Sequence, residues 1–560
     1  MSLSTVDYRP RDVEHGVLYR VIDEHLDAFL DAATHHADGS CLPKFVEQEF
    51  RDFLTCGVLR LGFARLRCSD CAFERLVPLS CKGRGFCPSC GGRRMTEYAA
   101  RLVDGVLPRV PVRQWVLSLP HRLRYLLAWD HALSRAVLAV YVRVLLGFQR
   151  RRARRHGISD GRSGCVTVIQ RFGGGLNLNV HFHTLVLDGV FIEGAGAPLR
   201  FRPLPPPTDK EIGIVLAMID TRVRRLLQRR GFDTSGADLP QRDPVAEESP
   251  ALAGISSASI QGRIALGRRA GARVWRVGEE PDAPWVLLGG PRHAHIAGFD
   301  LHANVAVPAA DRARLEQLCR YLLRPAVAQD RLRLMGDGRV LLTLKTAWAD
   351  GTRHLMFEPL EFLEKLAAIT PRPRINLVLY HGVLAPHAHW RALVVAYGAA
   401  RAEVPVPASL SANARDDATA TMKLRHWAWA NLMRRAFGID VLACLRCGGR
   451  LRLIAIIDDA KVIDEILASA GRSAEYVDRA PPFTVSVDGA RSVRSGLQRS
   501  RVFGELAPSA FRNLLAGLLS ALYLGRKMIP VPGCPSRSTD NEPLCLLRSS
   551  FAVDRPRIPR

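Results

Sequence analysis

The sequence predicts an α+β protein with a small cysteine-rich module near its amino end. Two apolar runs, 165–172 and 178–190, are joined by a glycine-rich turn, which predicts an antiparallel hairpin. Apolar residues recur at helical spacing in 17–53, 123–146 and 311–323, which predicts helices around that hairpin. A composition of 48% hydrophobic and 24% charged residues over 560 positions is typical of a packed globular protein and excludes a disordered chain.

The remaining segments follow in chain order. The apolar run 112–119, which ends at Pro120, predicts a strand. Pro325 is expected to end the helix of 311–323. Short strands are expected at 340–344 and 375–379. Residues 231–260 are rich in Pro, Gly, Ser and acids with little periodicity, so we expect a mobile insertion there. An Ala/Pro/Ser-rich linker is expected at 399–420.

The charge balance points to a polyanionic partner. Lys and Arg number 79 against 54 Asp and Glu, a formal net charge of +25, and arginines cluster in 150–155 and 222–230. Nucleic-acid binding is therefore favoured over a merely solvated basic surface. Arg143 interrupts the most apolar run, so we expect no membrane span, and residues 1–12 lack the apolar core of a secretory signal. Cytoplasmic residence is expected, where the 13 cysteines would be thiols or metal ligands.

Four cysteines have the spacing of a structural zinc site. Cys68-x2-Cys71 and Cys87-x2-Cys90 are separated by fifteen residues, and two such pairs can close a tetrahedron around one ion. Cys81 lies between the pairs and could replace one ligand. Four thiolates leave no open position for a substrate, so the predicted role is structural. Basic residues around this module are candidate phosphate contacts: Lys82, Arg84, Arg93 and Arg94.

A second cysteine pair is a weaker candidate. Cys444 and Cys447 are followed by two glycines, as in a zinc knuckle, but no mate lies nearby in the sequence. Cys534 and Cys545 follow far downstream at a different spacing. A second zinc site and an unmetallated turn are equally compatible with this pattern.

His181 and His183 form a candidate metal site. Residues two apart on a strand project from the same face, so both imidazoles can reach one ion. Polar Gln170, Asn177 and Asn179 lie on the same apolar hairpin, where burial without partners would be costly. Two imidazoles with amide oxygens and open positions favour Mg or Mn bound together with a phosphate.

Tyr321 is a candidate nucleophile on the 311–323 helix. It lies well away from the centre of the apolar stripe, whereas a core tyrosine would lie within it. A phenol is a poor nucleophile at neutral pH and needs nearby cations, which Arg320 and Arg324 could supply. Gln317, one turn earlier, is on the same polar face.

Several motifs together resemble the insertion sequence 91 family of rolling-circle transposases. They are the run Ser80 to Cys90, the strand Gln170 to His183, the helical Leu318-Cys-Arg-Tyr321 and the stretch Tyr380 to His387. The resemblance runs in order from about residue 15 to about residue 455. It implies an HUH endonuclease core, named for two histidines flanking a hydrophobic residue, with an antiparallel sheet and helices on one face, preceded by a zinc-ribbon-like module.

The resemblance also implies roles for individual residues. His181 and His183 match the metal-binding pair, Tyr321 matches the tyrosine that joins covalently to a 5′ phosphate of single-stranded DNA, and the four cysteines match the zinc-binding domain. Two-tyrosine members carry a second tyrosine four residues away, where this chain has Gln317, so the single-tyrosine branch is implied. Gln170 and Gln317 remain alternative third metal ligands.

The expected activity is metal-dependent nicking and rejoining of DNA that drives rolling-circle transposition. Its expected partners are single-stranded DNA and hairpins at the element ends, together with target DNA. No nucleotide cofactor is expected, since Gly173–Gly175 lacks the Lys and Ser/Thr of a phosphate loop. Association with the bacterial nucleoid is implied as well. The alternatives are a rolling-circle replication initiator or relaxase, and a catalytically inactive zinc DNA-binding protein.

Five parts of the chain are expected. They are a helical segment at 1–60, the zinc module at 61–100, the nuclease domain at 101–400, a helical Cys-x2-Cys region at 401–490 and a basic tail of unknown role at 491–560.

Overall fold

The computed structural model describes residues 13–36, 39–194, 197–232, 243–278, 290–398, 429–437 and 440–474. Its helices are α1 (Val17–His36), α2 (Lys44–Leu54), α3 (Pro88–Gly105), α4 (His121–Trp129), α5 (His131–Arg155), α6 (Asp209–Arg229), α7 (Pro244–Glu248), α8 (Pro250–Ile260), α9 (Arg312–Leu323), α10 (Pro359–Ile369), α11 (Arg391–Ala396), α12 (Trp429–Phe437) and α13 (Ala460–Ala474). The expected linker at 399–420, the tail at 491–560, and Cys534 and Cys545 lie outside the described residues. By its internal contacts the chain divides into two units, residues 1–520 and 521–560, and the second unit lies wholly outside the described residues.

The strands pair antiparallel throughout the described residues. They are β1 (Phe63–Cys68), β2 (Glu74–Pro78), β3 (Val112–Ser118), β4 (Gly164–Phe172), β5 (Leu178–Leu187), β6 (Gly189–Gly194), β7 (Ala197–Pro203), β8 (Trp275–Val277), β9 (His293–Ile296), β10 (Phe299–His302), β11 (Ala306–Val307), β12 (Leu332–Leu334), β13 (Val340–Thr343), β14 (His354–Phe357), β15 (Val378–Gly382) and β16 (Leu451–Ile457). The central sheet has the order β15-β4-β5-β3-β10-β9, with β11 paired to β3. The predicted α+β class with an antiparallel sheet is confirmed.

The predicted hairpin forms the centre of this sheet. β4 and β5 pair antiparallel, and β3 pairs with the other edge of β5. Side chains alternate along β5, so Val180 and Phe182 face a core shared with α1, α5, α8 and α10. Leu185 and Leu187 face a second core with α3 and α9. Most helices therefore pack on one face, as expected, but α3 and α9 cover part of the other.

The expected single helix over 123–146 is two helices. Asp130 ends α4 with extended backbone (ψ 101°), and its carboxylate accepts a hydrogen bond from the Leu133 amide at 2.8 Å, which caps α5. Among the described residues α5 is the one helix long and apolar enough to cross a membrane, but most of its apolar stretch is buried inside the protein. The Tyr141 ring stacks on Phe182 at 6.0 Å between centroids. Packing against the sheet therefore accounts for the apolar character of α5.

The expectation of a mobile insertion at 231–260 is wrong for its second half. Residues 233–242 lie outside the described residues, but α8 is a buried helix whose Leu252, Ile255 and Ile260 belong to the main core. The Ser259 hydroxyl accepts a hydrogen bond from the Leu178 amide at 2.9 Å, which ties α8 to β5. A helix buried on several sides shows no amphipathic periodicity, so its sequence does not show a helical pattern.

The zinc module is not confined to 61–100. The hairpin of β1 and β2 is extended by β16 into a three-stranded sheet of order β16-β1-β2. β16 pairs antiparallel with β1 from Phe63 opposite Ile457 to Cys68 opposite Leu451. A segment almost 400 residues away in sequence therefore completes the module.

Candidate active site and cysteine clusters

The register of three central strands brings the histidine pair together with a glutamine. Gln170 on β4 lies opposite His181 on β5, and His181 lies opposite Ser118 on β3. His183 projects from the same face as His181 because it lies two residues further along the strand. Both imidazoles are buried, with 8% and 4% of their surface exposed. They therefore lie on the sheet face that α9 covers.

The two imidazoles converge through their Nε2 atoms, which lie 3.0 Å apart. At a metal–nitrogen distance of about 2.1 Å, this separation corresponds to an angle of about 90° at a shared ion, as between neighbouring positions of an octahedron. His181 Nδ1 donates to the Asn179 carbonyl oxygen at 2.8 Å, which leaves its Nε2 unprotonated. The pair thus has the geometry of a two-histidine metal site.

Gln114 controls the tautomer of the second imidazole. Its side-chain amide, buried on β3, lies 2.9 Å from His183 Nδ1. The Gln114 Nε2 donates to His183 Nδ1, which places the ring proton on His183 Nε2, the atom that faces His181. A metal ion bound at that Nε2 would require the amide turned over, with its oxygen accepting from Nδ1–H. Sequence reasoning missed Gln114, although a glutamine within the apolar strand 112–119 carries the same signal as Gln170.

Burial keeps both imidazoles neutral. Desolvation lowers the pKa of His181 to about 4, and the hydrogen bond to Asn179 only partly offsets it. Desolvation and the neighbouring His181 lower the pKa of His183 well below its usual value. A neutral imidazole is the form that binds metal ions, so the pair is ready to act as ligands at neutral pH.

Gln170 fits a third ligand better than Gln317. Gln170 is 4% exposed, and its Nε2 donates to the Leu322 carbonyl at 3.1 Å. Its Oε1 is buried without a hydrogen-bond partner in the described part of the chain, as is Oδ1 of Asn179. An orphaned amide oxygen beside two imidazoles is costly unless a cation or water satisfies it. Gln317 is exposed on α9.

Helix α9 brings Tyr321 to the histidine pair. Asp311 caps the helix by accepting from the Arg314 amide at 2.9 Å, and the stripe Leu315, Leu318, Cys319 and Leu322 is buried as predicted. Tyr321 lies off this stripe and is 36% exposed. Its ring centroid lies 6.1 Å from that of His183, at nearly a right angle. The predicted nucleophile and the predicted metal ligands therefore share one site.

Two cations flank the tyrosine, and only one of them was predicted. The Arg324 guanidinium lies 4.5 Å from the Tyr321 ring centroid, and the Lys345 ammonium lies 5.4 Å from it. Arg320 instead pairs with Glu316 one turn earlier, at 2.5 Å. Positive charge near a phenol stabilises the phenolate and attracts a phosphate.

Among the described residues the cysteines form two clusters of four, and neither has the membership that the spacing predicts. In cluster A, formed by Cys56, Cys81, Cys87 and Cys90, neighbouring sulfurs are 3.5 to 3.9 Å apart. A tetrahedral zinc site with Zn–S bonds of about 2.3 Å requires sulfurs about 3.8 Å apart. Hydrogen bonding with Cys56 and the other thiols raises the pKa of Cys87 above its usual value. A cation at the centre of the cluster would favour the thiolate form of these cysteines over the neutral thiol.

Cluster B joins the amino-terminal hairpin to the carboxyl-terminal knuckle. Cys68 and Cys447 have sulfurs 3.5 Å apart, and Cys71 and Cys444 have sulfurs 3.6 Å apart. All four sulfurs lie within 4.8 Å of one another. The knuckle turns at Gly448, whose positive φ of 74° suits glycine, and the Gly449 amide donates to the Cys447 sulfur at 3.4 Å.

The grouping of Cys68 and Cys71 with Cys87 and Cys90 is therefore wrong. Each pair has other mates: Cys444 and Cys447 in one case, and Cys56 and Cys81 in the other. Cys81 is a full member of cluster A and not a substitute. Cys56 was missed because it follows α2 as a lone cysteine, without a knuckle spacing to mark it.

The basic residues near the zinc module have partly structural contacts. Arg84 donates to the Ile375 carbonyl at 2.6 Å, and Arg94 donates to the carbonyls of Lys82 and Gly83 at 3.2 and 3.1 Å. Lys82 is exposed and Arg93 is half-buried. Arg84 and Arg94 also line a cleft beside Gln170.

Two family models match the chain. The model described as "Putative transposase" matches residues 164–391, which include the histidine pair and Tyr321. The model described as "Transposase zinc-binding domain" matches residues 21–119, which include all of cluster A. These matches define the chain as a transposase. It belongs to the insertion sequence 91 family, with a zinc-binding domain before the transposase domain, and its cysteine clusters support structural zinc. No curated protein and no solved structure matches it.

Proposed function

We propose that this transposase nicks and rejoins single-stranded DNA through a covalent 5′-phosphotyrosine on Tyr321. The single observation that carries the proposal is the convergence of Tyr321 on the paired imidazoles, with ring centroids 6.1 Å apart and Nε2 atoms 3.0 Å apart. A nucleophile, a metal-binding pair and flanking cations are the parts that phosphoryl transfer to tyrosine requires.

His181, His183 and Gln170 would hold the divalent ion, Mg or Mn. The converging Nε2 atoms and the orphaned Gln170 oxygen fit such an ion. When bound, the ion supplies charge neutralisation and orientation at the scissile phosphate. Asn179 holds His181 with its Nε2 unprotonated, and the Gln114 amide, turned so that its oxygen accepts from Nδ1–H, would do the same for His183.

Tyr321 performs the bond changes. Its oxygen attacks the phosphorus, a Tyr–O–P bond forms, and the bond from phosphorus to the 3′ oxygen breaks. The phenolic proton passes to solvent at the exposed side chain, and the leaving 3′ oxygen takes up a proton. Arg324 and Lys345 stabilise the phenolate and the phosphate charge.

The same chemistry runs in reverse at a new site. A 3′ hydroxyl attacks the phosphotyrosine, the Tyr–O–P bond breaks, and the phenol regains its proton. One phosphoryl linkage is exchanged for another at each step, so the reaction needs no nucleotide cofactor. The chain has one tyrosine at this position, since Gln317 occupies the place of a second, so one nucleophile serves successive strand transfers.

The proposed substrates are single strands and hairpins at the element ends, together with target DNA, and the proposed setting is the cytoplasm in association with the bacterial nucleoid. A net charge of +25 supports a nucleic-acid partner. A replication initiator or relaxase would use the same chemistry, but the matches to transposase families favour transposition.

The test is adduct formation on oligonucleotides that tile the element ends. Wild-type protein, Tyr321→Phe and the control Tyr397→Phe are incubated with single strands and Mg, then separated on a denaturing gel. Tyr397 is a matched control because its hydroxyl accepts from the Phe201 amide at 3.3 Å, away from the histidine pair. A slow-migrating adduct is expected for wild type and Tyr397→Phe alone. An adduct that persists in Tyr321→Phe would move the nucleophile elsewhere.

A further inference from the structure

A basic cleft of about 340 Å³ opens beside the proposed active site. It shares Gln170 and Arg324 with that site and continues toward the zinc module. Its size is within the range of pockets that bind small ligands, roughly 300–1,000 Å³. Among the described residues its walls carry five arginines and no carboxylate: Arg84, Arg94, Arg101, Arg171 and Arg324. A cleft with such walls is suited to an anion.

One wall of the cleft is a face of helix α3. Arg94, Tyr98 and Arg101 follow one another at helical spacing and all line the cleft. The same helix begins with two members of cluster A, since Cys87 is its N-cap and Cys90 lies in its first turn. Helix α3 packs closely against the chain just after α9: if Gly91 were replaced by a residue with a Cβ atom, that atom would lie only 2.7 Å from the Cβ of Pro325. Cluster A therefore sets the position of this wall.

Three of the five arginines are held by protein carbonyls. Arg171 donates to the carbonyls of Ala128, Ile369 and Thr370, and Arg84 and Arg94 make the carbonyl contacts described above. Arg101 Nε and Arg324 Nη1 differ, because each is buried without a hydrogen-bond partner in the described part of the chain. Unsatisfied buried guanidinium nitrogens are costly, and a phosphate satisfies them well.

Two aromatic rings lie in the same cleft as these cations. Tyr98 on α3 and Tyr380 on β15 both line it and are half-buried. Aromatic rings stack on unpaired bases of any sequence, whereas paired bases are not available to them. Phosphate-binding cations beside aromatic rings are the combination that recognises a single-stranded nucleotide.

We propose that this cleft binds one nucleotide of single-stranded DNA next to the scissile phosphate. Arg101 and Arg324 hold its phosphate, and its base stacks on Tyr98 and Tyr380. This inference rests on the proposed function, since it names how the substrate of that same site is held. It also gives cluster A a role, because zinc at the start of α3 positions the residues that contact DNA.

The test measures DNA affinity without cleavage. Full-length protein carrying Tyr321→Phe is titrated against fluorescein-labelled (dT)12 and against a labelled duplex, with fluorescence anisotropy as the readout at several salt concentrations. Tyr98→Ala should weaken binding of the single strand by about 5- to 150-fold and of the duplex by less than about two-fold, since paired bases cannot stack. Tyr98→Phe, which keeps the ring, should bind like the parent.

Arg101→Gln tests the phosphate contact. It should weaken single-strand binding and reduce the slope of log affinity against log salt by about 0.7. Arg20→Gln is the matched control, because Arg20 is exposed on α1, outside the two arginine clusters, and does not line the cleft. Circular dichroism and zinc content show whether each variant is folded.

The outcomes separate this inference from the proposed function. The nucleotide subsite is refuted if Tyr98→Ala and Arg101→Gln bind (dT)12 like the parent. It is also refuted if Tyr98→Ala weakens duplex binding as much as it weakens single-strand binding. Both conclusions hold even when the wild type forms an adduct. If the variants lose affinity for the single strand and the wild type forms no adduct, the subsite stands and the phosphotyrosine chemistry fails.

Discussion

Replacement of single cysteines by alanine tests the division of the cysteines into two clusters. A single site built from the two closely spaced pairs would hold one zinc, which Cys68→Ala or Cys87→Ala would abolish and which Cys56→Ala or Cys447→Ala would leave intact. The structure instead predicts two zinc ions per chain, with each of these four substitutions removing one of them. The stoichiometry therefore separates the two arrangements without any assay of activity.

The expected loss of stability differs between the clusters. Binding of a structural zinc contributes on the order of 10–16 kcal/mol in small zinc peptides, which is similar to the whole stability of a typical domain. In cluster A, Cys56, Cys87 and Cys90 are no more than 5% exposed and lie in the main core, so loss of its ion should unfold α2 and the start of α3. Cluster B lies in a separate small core and includes the exposed Cys447, so its loss should release β16 and leave the central sheet folded.

The assay is zinc content by mass spectrometry, together with urea unfolding followed by circular dichroism. Wild-type protein should contain two zinc ions, whereas Cys56→Ala and Cys447→Ala should each contain one. Cys41→Ala is the control and should contain two, because Cys41 is exposed and lies outside both clusters. Cys56→Ala should lower the free energy of unfolding more than Cys447→Ala. One zinc in the wild type that survives both Cys56→Ala and Cys447→Ala would refute the two-cluster arrangement.

Three further predictions concern the proposed active site and helix α9. Arg324→Gln should slow adduct formation by at least about ten-fold with little change in melting temperature, because it removes charge beside Tyr321; an unchanged rate in a quench-flow assay would argue against that role. The free energy of unfolding of the metal-free protein should fall by about 3 kcal/mol as the pH is lowered from 6.5 to 4, because His181 takes up a proton at higher pH in the unfolded state than in the folded one. Urea titrations at several pH values should show a smaller change for His181→Asn. Leu318→Ala on α9 should cost about 2–5 kcal/mol of unfolding free energy, and a loss below about 1 kcal/mol would contradict its burial.

The local elements near the proposed active site could be predicted from the sequence. The hairpin of β4 and β5 and the apolar stripe of α9 follow from periods of two and 3.6 residues, which depend only on neighbours in the chain. His181 and His183 share a face for the same reason. Elements that are buried on several sides were missed, as α8 shows, because uniform burial removes the periodic signal.

Residues that act across the fold could not be predicted in the same way. Lys345 reaches the Tyr321 ring from beyond β13, and Gln114 reaches His183 from the neighbouring strand. The spacing of residues along the chain predicts neither contact, although a glutamine within an apolar strand does single out Gln114 as a candidate. The choice between Gln170 and Gln317 likewise required knowing which amide the sheet buries next to His181.

The sequence by itself determined the chemistry available to this transposase: a histidine pair on one strand face, a tyrosine off the apolar stripe of its helix, many cysteines and a strongly basic charge. Only the tertiary structure decided which cysteines share an ion, since β16 brings Cys444 and Cys447 to Cys68 and Cys71 from the far end of the described chain. The physical reason is that a metal site is selected by distances between sulfur atoms, whereas spacing along the chain limits those distances only over a few residues. The fold, and not the cysteine pattern, therefore assigned the ligands.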